Sequence, residues 1–184
     1  MADGNKAKTE LLRHFLAALA YRTQKALRGA PPTFAGFRVA ENVRTPHELI
    51  WHMTGVIGYA VSLYRKQPFT PEMLETFASE VERFHATLEE LAGFFDSAAL
   101  PEGTTAEQLL QGPLADAMTH AGQLAMLRRI DGSPVPPENF LLAEIETSNL
   151  SAEQPPPRAP KKGWRPDQPP PSPGRPLDGG RRKA

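Results

Sequence analysis

Cysteine is absent from the 184 residues, and with it go disulfides, thiolate nucleophiles and every zinc site built on sulfur. Any metal held by this chain must be bound by His, Asp, Glu or backbone oxygen. Also missing is an apolar run approaching the roughly 20 residues that span a bilayer, so a soluble, cytoplasmic protein with no membrane partner is expected. The opening MADGNKAKTELLRHFLAALAY sets lysines before an apolar patch and mimics a cleavage site with ALA. Arg13 and His14 interrupt the patch, however, and the stretch reads as a helix rather than a leader. Net charge is lacking too. Lys plus Arg number 21 and Asp plus Glu number 21, a balance that gives no electrostatic footprint for nucleic acid.

Proline is what the chain has in excess: 20 residues, about half of them after Asn149. From Ser151 onward, SAEQPPPRAPKKGWRPDQPPPSPGRPLDGGRRKA carries eight Lys or Arg against three Asp or Glu and few aliphatic side chains. Such a segment cannot build a core. Residues 1–150 are therefore expected to form one domain and residues 151–184 a Pro-rich basic tail, in polyproline II or disorder, with Trp164 as an anchor. PPPRAP and PPPSPGRP could also serve as docking peptides.

The domain reads as all-α. A first helix is expected from about Lys6 to Leu27, with Leu12, Phe15, Leu19 and Ala26 on its apolar stripe and Gly29, Pro31 and Pro32 ending it. Arg22 shares that stripe; snorkelling is the expected arrangement and an inward anion-binding group the alternative. Thr33 to Arg44 reads as a loop packed through Phe34 and Phe37. Thr45, Pro46 and Glu48 then combine an N-cap, a first-turn proline and a capping box. From there Leu49, His52, Val56, Tyr59 and Leu63 share one face of a second helix that Pro68 stops, while His47 lies off it and is expected to be exposed.

Thr70 and Pro71 are expected to open a third helix in the same way, with a seam of Leu74, Phe77, Val81, Phe84, Leu88, Leu91 and Phe95 in steps of three and four. His85 is off the seam and is expected in solvent. Thr104 and Glu107 suggest a capping box for a short helix ending near Gln111. Pro113 then begins a fourth long helix that Gly132 closes, and Asn139 to Ile145 could add a short helix or strand. Four amphipathic helices with short or moderate connections imply a four-helix bundle.

Function is sought where polar groups face inward. Within GPLADAMTHAGQLAMLRRIDG, Asp116, His120 and Gln123 stack on one helical face that continues through Leu127 and Ile130, so that face is expected to be buried. A buried Asp and His need compensation. They can satisfy each other, Asp116 resting in the first turn where the dipole favours it, or they can share a cation. His52 from the second helix would complete the second arrangement as a third ligand. Two His and one carboxylate occupy one side of a metal and leave the other open, which suits iron, nickel or zinc. Gln123, one turn beyond His120, would orient a ligand or a bound water.

HELIWH in the second helix and DAMTHAGQLAMLRR in the fourth resemble the motifs of the DinB/YfiT-like superfamily of four-helix metalloenzymes. The likeness covers about residues 8 to 147. It implies His52 as the first metal ligand and His120 as the last, with Gly122 and Gln123 in the family's G-Q positions. Asp116 departs from the pattern, standing where the family usually carries its middle His. The resemblance further implies a divalent ion (Ni, Zn or Fe), a homodimer, and a thiol-dependent S-transferase in which a low-molecular-weight thiol attacks an electrophilic small molecule. With no cysteine in the chain, the thiol must come from a cosubstrate. Arg22 and Tyr59 would be substrate contacts. The alternatives are a metal-dependent hydrolase and a non-catalytic dimeric helical module using its tail to hold a partner.

Overall fold

The computed structural model of the protein describes residues 2–158. The capping box at Thr45 sets the start of one helix. The Thr45 hydroxyl accepts from the Glu48 N–H at 3.2 Å, and the Glu48 carboxylate accepts from the Thr45 N–H at 2.7 Å, with Pro46 in the first turn. A cap of this kind contributes about 1 kcal/mol. The helix it opens, α2, spans Pro46–Arg65 and ends where Lys66 turns left-handed. It is preceded by α1, Ala2–Leu27, which the left-handed Gly29 closes. Next come α3, Phe77–Ser97, and the single-turn α4, Ala106–Leu109. A wide helical turn, Leu110–Leu114, leads from α4 into α5, Ala115–Ile130, which Gly132 terminates at a φ of 78°.

The four long helices pack as a ring. α1 lies against α3 and α5, and α2 lies against the same two, so α1 and α2 are diagonal partners. Leu16, Leu19, Ile50, Met53, Ile57, Phe84, Leu88, Leu91, Leu114 and Leu124 fill the centre without solvent contact. Each such side chain contributes roughly 1.5–3 kcal/mol when fully buried. Phe34 plugs the core from the α1–α2 connection and Phe37 packs beside it, as their placement in the loop suggested. Among the described residues there is no strand, and no helix is long and apolar enough to cross a membrane.

Several local expectations are corrected. Thr70 and Pro71 do not open α3. Residues 70–76 stay outside the helix because other groups claim their backbone: Trp51 Nε1–H donates to Pro71 O at 2.9 Å, and the Leu74 N–H donates to the buried Glu80 carboxylate at 3.0 Å. Thr76 caps the helix instead. The short-helix capping box likewise falls one residue on, at Thr105 and Gln108. The core stripe of α2 runs through Ile50, Met53, Ile57 and Val61, so His52 and Val56 flank it and Tyr59 stands 58% exposed. On α5 the buried stripe continues from Leu114 of the preceding turn through Ala117, Ala121 and Leu124. Asp116 and Ile130 consequently reach solvent.

Two histidines depart from expectation. His47 is half-buried, with its ring edge-on to Phe77. His85 is buried rather than solvated. Its Nδ1–H donates to Leu150 O at 2.6 Å, and its Nε2 accepts from the Gln24 amide at 2.8 Å. The bond draws Leu150 into the core and fastens the chain after α5 onto α1 and α3. Arg28 extends this fastening by donating to the carbonyls of Gln154 and Pro155. The rest of the Pro-rich tail, including Trp164 and PPPSPGRP, lies outside the described residues.

Burial holds the His85 pKa below its ordinary value, only partly opposed by the bond to Leu150. Below about pH 6.5 the unfolded chain therefore binds a proton that the folded chain resists, and stability falls as pH falls. Denaturant midpoints between pH 7 and pH 5 should show this slope, and His85→Gln should make it shallower. An unchanged slope in the variant would mean that His85 does not carry the effect.

Candidate metal centre

His120 sits at the centre of the site. One turn before it on α5 stands Asp116, whose Oδ1 lies 3.3 Å from His120 Nε2; nearly one turn after it comes Gln123, whose Oε1 lies 2.9 Å from His120 Nδ1. Gln123 Oε1 accepts only, so Nδ1–H donates to it, and Nε2 is the ring nitrogen turned towards Asp116. A carbonyl on one ring nitrogen that frees the other for coordination is how metal-binding imidazoles are commonly oriented. The contact between His120 and Gln123 follows from their i,i+3 spacing.

His52 arrives from α2, across the α2–α5 contact. Its ring lies 4.7 Å from that of His120, centroid to centroid, at 78° between planes. One donor atom from each of His52, Asp116 and His120 falls within 4.8 Å of the others. An ion with bonds of about 2.1 Å spans at most about 4.2 Å between two donors, so the set is slightly open for a metal. The four sequence-chosen residues are thus together: His120 buried, His52 and Gln123 half-buried, Asp116 exposed.

At His52 the electrostatics favour the neutral imidazole. Burial, then the Arg44 guanidinium, then His120 push the His52 pKa down, against a smaller upward pull from Asp116. Neutral His is the form that ligates a metal. Arg44 was not singled out in the sequence, since nothing in its position before the Thr45 cap signals a neighbour on α5. It borders an open cavity of about 580 Å³ that Gln123, Met126 and Val39 also line. The other two sequence-chosen contacts do not gather here. Tyr59 is two turns along α2 from His52, and Arg22 projects from α1 over the ring of Phe140.

The fold and site together define a four-helix bundle carrying a His/His/Asp group that could hold a metal ion between α2 and α5. The chain matches no family model, no curated protein and no solved structure. The likeness to DinB/YfiT-like proteins therefore stands on its motifs.

Proposed function

We propose that the protein is a divalent-metal enzyme of the thiol-transferase type, with His52, Asp116 and His120 as ligands. The observation that carries the reading is the convergence of these three donors, from two helices, on one point open to solvent. The donor set fits: two imidazoles, one buried and one half-buried, and an exposed carboxylate. His52 and His120 would present their ring nitrogens from the neighbouring helices α2 and α5. Gln123 holds the His120 ring in register, and Asp116 supplies the negative charge that offsets the ion. A divalent ion so held lowers the proton affinity of a coordinated thiol and positions its sulfur as a nucleophile. The choice of thiol chemistry rests on the family resemblance, and the chain itself adds that the sulfur must come from a cosubstrate.

Adding Zn²⁺ or Ni²⁺ to the full chain should give one bound equivalent by elemental analysis and a higher melting temperature that chelator reverses. At a hundredfold excess over Kd, linkage predicts about 2.7 kcal/mol of added stability. The loaded protein should then consume an electrophile such as 1-chloro-2,4-dinitrobenzene only when a small thiol is supplied. Ester cleavage without thiol would instead favour a hydrolase. Absence of bound metal with a chelator-indifferent melting temperature would leave a helical interaction module.

A further inference from the structure

The side of α5 turned away from His120 borders a second site. Ala121, Gly122 and Ala125 of α5 and Ala26 of α1 form the floor of a cleft of about 270 Å³, roofed by Phe140 in the segment that follows α5. With Met118 beside them, these small side chains leave an apolar space large enough for a ring: a cavity of about 150 Å³ already accepts benzene. The walls are cationic. Arg22 and Lys25 come from α1 and Arg129 from the last turn of α5.

One of the three cations is already neutralised. Lys25 Nζ donates to the fully buried Glu138 carboxylate at 2.7 Å, and Tyr21 O–H donates to the same group at 2.6 Å. These three residues form a closed wall. Arg22 and Arg129, by contrast, have no ion-pair or hydrogen-bond partner among the described residues. The Arg22 guanidinium lies over the Phe140 ring, 3.8 Å from its centroid. Stacking occupies the face of the guanidinium and leaves its edge N–H donors free for a planar acceptor. Two unpaired positive charges beside an apolar floor select an anion.

We propose that this cleft binds a small organic anion, a carboxylate carried on a ring-sized apolar body, with Arg22 and Arg129 gripping the carboxylate and the Ala/Gly floor taking the ring. The site is separate from the metal centre, because α5 stands between them and its residues face opposite ways. Calorimetric titration of the full chain with benzoate tests this. Saturable one-to-one binding is expected, at least tenfold weaker for the uncharged isostere benzamide and at least tenfold weaker in the R22Q/R129Q double variant. Neither guanidinium is tied to the fold by a hydrogen bond, so the double variant should melt close to the wild type. Binding should be unchanged in His120→Ala. The proposal is overturned by no saturation in the millimolar range, by equal affinity for benzamide, by a double variant that binds as well as the wild type, or by loss of binding in His120→Ala, which would place the anion at the metal centre.

Discussion

His120→Ala is expected to lose its metal entirely under conditions where the wild type holds one equivalent. The residue is the hub of the group: it touches Asp116 on its own helix, faces the His52 ring across the α2–α5 contact, and takes its orientation from Gln123. Removing it leaves one imidazole and one exposed carboxylate on different helices. Gln123→Leu should act more mildly, because the ligand stays while its tautomer and ring angle are freed. Changes of that kind weaken metal affinity about 10- to 100-fold. Competition against a coloured chelator should therefore rank wild type above Gln123→Leu and Gln123→Leu above His120→Ala, with helical circular dichroism unchanged in all three. Equal affinity in wild type and His120→Ala would show that the ion binds elsewhere.

Arg128→Met should be among the most destabilising single changes. The Arg128 side chain is buried, and its guanidinium donates to Ala26 O at 2.8 Å, Arg28 O at 3.1 Å and Gly29 O at 3.1 Å, while Nε–H donates to Ser133 O at 2.9 Å. It thus closes the C-terminal end of α1, whose last carbonyls have no partner within the helix, and ties that end to the turn after α5. Methionine keeps much of the volume and none of the donors. Ala26 is buried, so water cannot replace the lost bond there, and the expected loss is about 3 kcal/mol. For a domain of this size that corresponds to a melting temperature lower by about 6–12 °C. Arg128→Lys should recover only part of it, since an ammonium cannot reach carbonyls on both sides of the fork. A variant melting within experimental error of the wild type would show that the α1 terminus is held by other contacts.

The role of Arg128 could not be read from DAMTHAGQLAMLRR, where it looks like one of two basic residues in a last turn. Its partners at the end of α1 are about a hundred positions away. A long separation also hid His85, whose place off the seam suggested solvent, although the returning chain lays Leu150 against it. The late start of α3 was hidden for a different reason, since Thr70-Pro71 carries as good a start signal as Thr45-Pro46. The difference is that Trp51 and Glu80 bind the backbone of residues 71 and 74 and hold them out of the helix.

The sequence by itself determined the all-α class, the capping box at Thr45 and the clustering of Asp116, His120 and Gln123, because each depends on neighbours three or four residues apart, within reach of helical geometry. It also named His52 as the third member, as the inward His candidate of the second helix. Only the tertiary structure decided that His52 meets His120, that Asp116 opens to solvent and that α2 turns a different stripe to the core. A helix's period says which residues share a face; the rotation of that face towards its neighbours is set by packing the whole ring at once.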